Sequence, residues 1–127
     1  MNKVIKRKWL KALRSGEYKQ GRGRLLTCNV EGDNPKFCCL GVLTDLYIKA
    51  HKTKKWQFEQ LSNTDTIKMR GVLHGQGAYL PSTVAKWAQI EVGRPRNASS
   101  VNAVLCGQND DLKWSFKKIA AWIEKEL

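Results

Sequence analysis

The sequence is poor in acid. Its 127 residues carry 11 Asp and Glu against 23 Lys and Arg, a formal net charge of +12. Such an imbalance opposes compaction through self-repulsion and draws a chain towards anions. Long hydrophobic runs are missing too: nothing approaches the roughly 18–20 consecutive apolar residues of a membrane span. The opening segment, Met1 to Leu13, is amphipathic and basic rather than an apolar signal. A cytoplasmic setting with reduced thiols and no membrane partner is therefore expected. There is no low-complexity tract and no internal repeat.

Catalytic signatures are equally scarce. The two histidines, His51 among lysines and His74 in a glycine-rich stretch, have no partner at motif spacing. H-E-x-x-H and G-x-S-x-G are absent, and Gly21 and Gly23 lack the G-K-[ST] ending of a phosphate loop. The four cysteines are Cys28, Cys38, Cys39 and Cys106. Adjacent thiols cannot form the C-x-x-C hairpin of a tetrahedral metal site, so all four read as small buried hydrophobes. No enzyme activity, cofactor or metal is expected on these grounds.

What the chain does have is core material. Apolar residues make up 42%, including five Trp, three Tyr and three Phe. At this length a single domain, residues 1–127, can bury roughly two-thirds of its unfolded surface. Ile5, Trp9, Ala12 and Leu13 recur at helical spacing and predict a helix over 3–14, ended by Ser15-Gly16. Its opposite side carries Lys3, Arg7, Lys11 and Arg14, a stripe read as a solvated face. Residues 25–30 predict a strand, 31–36 a turn, and Phe37 the return of a short hairpin. Leu40, Leu43, Leu46 and Tyr47 predict a buried helix, in which Gly41 implies close packing against a neighbour. Strands are expected through Trp56 and Phe58 and near Ile67–Leu73, with an irregular loop over 71–77. Leu80-Pro81-Ser82 opens another helix. Residues 101–111 predict a short helix ending near Gly107. Ser115 caps the last, with Trp114 and Ile119 placed as a hydrophobic staple. The expected class is α+β: a small single domain with four to five helices packed on a short antiparallel sheet or hairpin.

Three basic segments are candidates for binding phosphate. The first is Lys19, Arg22 and Arg24 around two glycines, beside Tyr18. Glycines let backbone N–H groups approach an anion, and Arg offers a two-pronged donor. The second is Lys49, Lys52, Lys54 and Lys55 next to Trp56, which supplies charge for phosphate and a ring for a base. The third is Arg94 and Arg96. Asn109 and Asp110 stand where turn chemistry alone would select them, yet either could meet a base edge or ribose.

The blocks Trp9-Leu10-Lys11-Ala12-Leu13-Arg14-Ser15-Gly16-Glu17-Tyr18-Lys19-Gln20-Gly21 and Phe37-Cys38-Cys39-Leu40-Gly41-Val42-Leu43 resemble a widespread family of small bacteriophage proteins. Leu80-Pro81 with Val84 and Trp87-Ala88, and Asn109-Asp110 with Ser115-Phe116 and Ile119-Ala120, are similar to its later blocks. The chain departs from that pattern at Thr44, where Cys is expected, and at Asp111–Trp114, which replaces a shorter Ser-Gly type turn. These blocks mark a family, not an activity. The resemblance implies a phage accessory protein in the host cytoplasm, with an anti-defence role in view. In that reading it sequesters a phosphate-containing nucleotide signal without catalysis. Lys19, Arg22 and Arg24 would hold phosphates, Tyr18 or Trp56 would stack a base, and Asn109 or Asp110 would contact a base edge or ribose. A nucleic-acid binding module and a protein–protein inhibitor of a host factor are the alternatives, and homo-oligomerisation is left open.

Overall fold

The computed structural model describes residues 1–29, 32–61, 68–91 and 100–127. The fold is α+β, as the patterning predicts. Among the described residues there are five α-helices, one π-helical turn and a four-stranded antiparallel sheet. None of these helices is long and apolar enough to cross a membrane.

Helix α1 spans Lys3–Ser15. The Asn2 side chain accepts the N–H groups of Val4 and Ile5, and Gly16 ends the helix in the left-handed conformation. This is the N-cap and C-cap chemistry that satisfies orphan backbone groups. Ile5, Trp9, Leu10 and Leu13 are buried, while Lys3, Arg7, Lys11 and Arg14 are exposed. The Trp9 indole N–H donates to the Cys39 carbonyl at 3.0 Å, locking α1 to helix α2, Cys39–Ala50. Arg14 pairs with Glu124 at 2.8 Å on α5, Phe116–Glu126, which lies along α1.

Helix α2 is the hub, in contact with α1, α3 (Ser82–Ala88) and α4 (Val101–Cys106). It is buried from Cys39 to Asp45 because it also packs against the chain entering the sheet. A Cβ added at Gly41 would collide with the carbonyl oxygen of Leu25, so only glycine permits that approach. Thr44, where the family resemblance leads one to expect Cys, is fully buried and its hydroxyl donates to the Leu40 carbonyl at 2.8 Å.

The sheet runs β2 (Lys36–Phe37), β1 (Leu26–Asn29), β4 (Lys68–Val72), β3 (Gln57–Gln60). Leu26 sits opposite both Phe37 and Gly71, which places all three on the face towards the helices. The opposite face carries Lys36, Thr27, Arg70 and Glu59 in one row. The main hydrophobic core takes Leu26 from β1, Phe37 from β2 and Leu73 just after β4, but nothing from β3. The β3–β4 hairpin therefore reaches beyond the core.

Two expectations need correction. The stretch 71–77 is not an irregular loop. Gly71 and Val72 finish β4, and Leu73 and Gln76 exchange two backbone hydrogen bonds of 3.0 Å around His74 and Gly75, both with positive φ. That is a two-residue hairpin turn. Nor does the helix from Val101 stop at Gly107. It widens into a π-helical turn over Gly107–Asp111, closed by the Leu112 N–H on the Gly107 carbonyl at 2.9 Å. Gly107 keeps an ordinary helical φ of −59°, so it does not break the helix.

Candidate functional site

The π-helical turn presents Asn109 and Asp110 to the segment Gln20–Gly23. Such turns recur at functional sites because the extra residue re-aims side chains. Asn109 is fully buried. Its carbonyl oxygen accepts from Gln20 Nε2 at 2.8 Å and from the Cys39 N–H at 3.3 Å. Its amide donates to the Gly21 carbonyl at 2.9 Å and to Asp110 at 2.7 Å. Asp110 Oδ1 also accepts the Gly23 N–H at 2.9 Å. These bonds hold the glycine loop in place and leave Lys19 and Arg22 exposed on it. Arg24 is half-buried. Among the described residues none of the three cations forms an ion pair.

The two rings considered for base stacking meet at a residue the sequence reading passed over. Tyr18 donates its hydroxyl to Asp45 Oδ2 at 2.6 Å, and Trp56 donates its indole N–H to Asp45 Oδ1 at 3.0 Å. Lys49 lies 3.0 Å from the same carboxylate and 3.0 Å from the Tyr18 oxygen. Phe37 fills the space between the rings, edge-on to Tyr18 at 5.0 Å and tilted to Trp56 at 6.5 Å. Burial and the hydrogen bond to Asp45 raise the Tyr18 phenol above its ordinary value, and the Tyr18 hydroxyl raises Lys49. The signal for Asp45 was its spacing: an acid four residues before Lys49 on a helix otherwise apolar. The glycine loop and the lysine-rich segment, far apart in sequence, thus converge on one carboxylate.

A second feature lies at the other end of the lysine segment. Thr53, Lys54, Lys55, Gln57, Leu73 and His74 line a cleft of about 320 Å³. A neighbouring cleft of about 300 Å³ is lined by His74, Gln76, Tyr79, Leu80, Ser82 and Asn102, among others. His74 stands at the join, held at φ 51° by its hairpin turn. The Tyr79 ring, 56% exposed, is the open aromatic of the pair of clefts. Asn102 accepts the Leu80 N–H through Oδ1 at 3.0 Å, which turns its oxygen inward. His74, Tyr79 and Asn102 carried no motif; only the fold places His74 beside Lys54 and Lys55, and Tyr79 and Asn102 beside His74. Arg94 and Arg96 lie outside the described residues.

The thiols are chemically quiet. Burial pushes Cys38 up to about 12 and Cys106 to about 11, and raises Cys39 well above the ordinary thiol value. Little thiolate exists at neutral pH.

A family model for a domain of unknown function, DUF8296, matches residues 1–127. The chain belongs to that family. No curated protein and no solved structure matches it.

Proposed function

We propose that this DUF8296 protein binds a phosphate-containing nucleotide and holds it without turnover, acting as a phage accessory protein that withdraws a nucleotide signal in the infected cell. The observation that carries this reading is the pair of clefts joined at His74. One end offers Lys54 and Lys55 for phosphate and the other offers the exposed Tyr79 ring for a base. Each cleft lies at the lower end of ligand-site volumes, which run to about 300–1,000 Å³. Charge on one side and a π-face on the other is the combination a nucleotide needs. The net charge of +12 adds long-range attraction. The raised thiols argue against a cysteine nucleophile. Lys19, Arg22 and Arg24 on the pinned loop offer further anion contacts.

The test is a thermal-shift screen at two salt concentrations. It uses mononucleotides, cyclic di- and trinucleotides, ADP-ribose derivatives, single-stranded DNA and duplex DNA. A nucleotide that binds the folded state raises the melting temperature by mass action. The shift should vanish in Lys54→Ala/Lys55→Ala and fall in Tyr79→Ala. Arg22→Ala/Arg24→Ala reports whether the glycine loop takes part. A salt dependence of about two or three charges supports a nucleotide, and one of many charges supports a nucleic acid instead. No shift with any nucleotide overturns the reading.

A further inference from the structure

We propose that β3 is a pairing edge: two copies of this chain join β3 to β3 across a two-fold axis, antiparallel and centred on Gln57. The two edges of the sheet are treated differently. At the β2 edge, the Phe37 N–H donates to the Lys19 carbonyl at 2.8 Å, and the Phe37 carbonyl accepts from the Gly21 N–H at 2.7 Å. That edge is closed by the chain's own glycine loop.

The β3 edge is open among the described residues. The Leu61 N–H donates to the Lys68 carbonyl at 2.8 Å, in the register that pairs Glu59 with Arg70 and Gln57 with Val72. Antiparallel ladders alternate, so odd residues of β3 bond to β4 while Phe58 and Gln60 turn their N–H and C=O groups outward. All four residues of β3 are exposed, and the Phe58 ring is 48% exposed. Neither proline nor a bulge blunts this edge, and an open row of donors and acceptors recruits another strand.

The segment Lys54–Gln60 is complementary to itself. In an antiparallel pairing centred on Gln57, Lys55 falls opposite Glu59 of the other copy, and Glu59 opposite the other Lys55. Trp56 falls opposite Phe58 of the other copy. Both aromatics are on the helix-side face: Phe58 pairs with Gly71, and the Trp56 ring lies over Gly71 close enough to meet an added Cβ. Gln57 and Glu59 share the opposite face, where the Glu59 carboxylate also accepts from Arg70 Nε at 2.9 Å; Lys55 joins them where the pairing extends the strand by two residues. Opposite-charge and aromatic cross-strand pairs are the contacts that stabilise a sheet. Their reciprocal occurrence is what a two-fold interface requires. A register centred on Phe58 would instead set Glu59 opposite Gln57 and Lys55 opposite Leu61, losing the charge match. Because Lys55 and Gln57 also line the Lys54–His74 cleft, the pairing sets the two copies' clefts side by side across the axis, with Lys55 shared between its cleft and Glu59 of the other copy.

The experiment is sedimentation velocity on the whole chain across a concentration series, without nucleotide, so its outcome is independent of ligand binding. The wild type should be a dimer. Phe58→Pro removes an outward N–H that the β3–β4 ladder does not use, and should give a monomer with an unchanged circular dichroism spectrum. Lys55→Glu and Glu59→Lys should each be monomeric, and mixing the two should restore a dimer of one copy of each. The mixture decides the matter if Phe58→Pro does not fold. A wild type that stays monomeric, a dimer that survives Phe58→Pro, or single variants that do not combine on mixing overturns the proposal.

Discussion

Two residues show how much hangs on single side chains here. Asn109 satisfies Gln20, the Cys39 N–H and the Gly21 carbonyl at once, from a fully buried position. A buried polar group left without its partner costs about 1–3 kcal/mol. Asn109→Ala is therefore expected to lower unfolding free energy by about 3 kcal/mol in urea titrations, and to loosen the loop that displays Lys19 and Arg22. A loss under about 1 kcal/mol would show that those partners rebond to water. Gly41 is the second case. An added methyl meets the Leu25 backbone, which cannot swing aside as a side-chain tip would. Gly41→Ala should cost more than about 4 kcal/mol, the range reserved for core disruption. Gly107→Ala is the control. Nothing beyond its own helix backbone and chain neighbours lies within 4 Å of the added methyl, and the backbone is already helical, so the expected change is a gain of about 0.5–1 kcal/mol.

At the scale of elements, Asp45 ties three pieces of chain together. Tyr18 comes from the loop after α1, Trp56 from the approach to β3, and Lys49 from α2 itself. Truncating the acid orphans the partly buried phenol and indole donors together, whereas losing the phenol hydroxyl leaves the carboxylate with its other partners. Asp45→Ala should destabilise by about 3 kcal/mol and Tyr18→Phe by about 1 kcal/mol, read from urea midpoints at constant slope. Equal effects would mean that Tyr18 alone carries the linkage. The individual elements were legible in sequence wherever local chemistry decides them. Helix α1 announces itself by period and by Gly16, β1 by its apolar and β-branched run, and α5 by Ser115, whose hydroxyl accepts the Lys118 N–H at 3.2 Å. The π-helical turn was not legible. A run of Gly, Gln, Asn and Asp reads as a helix end, and only the burial of Asn109 against Gln20 and Cys39 shows why the helix continues there.

For the whole molecule, the thiols predict an alkaline limit; Cys28, Cys38 and Cys39 are buried as expected, while Cys106 is only partly buried. The ordinary thiol value is 9.0, and the folded state raises Cys38 to about 12 and Cys106 to about 11. Below pH 9 both folded and unfolded chains keep these protons, and the stabilisation is fully present. Above it the unfolded chain ionises first, so stability is lost progressively as pH climbs towards the folded values. The raised Tyr18 phenol acts in the same sense at higher pH. Urea midpoints should fall steadily from pH 9 to 11, and the fall should be shallower in Cys38→Ala/Cys106→Ala. A profile unchanged by that double substitution would place the alkaline limit elsewhere.

The sequence by itself determined the class of this protein, its helix periods and caps, and the excess of positive charge. Each of these is set by neighbours along the chain or by composition, so reading residues in order suffices. Tertiary structure alone decided which basic segments come together. The glycine loop and the lysine segment meet only because Asp45 on α2 draws Tyr18 and Trp56 to the same carboxylate. Lys54 and Lys55 share a cleft with His74 only because a two-residue turn after β4 brings that residue beside them. The charge that dominates the composition acquires candidate binding surfaces through these long-range contacts, since proximity between distant residues is set by packing and not by spacing.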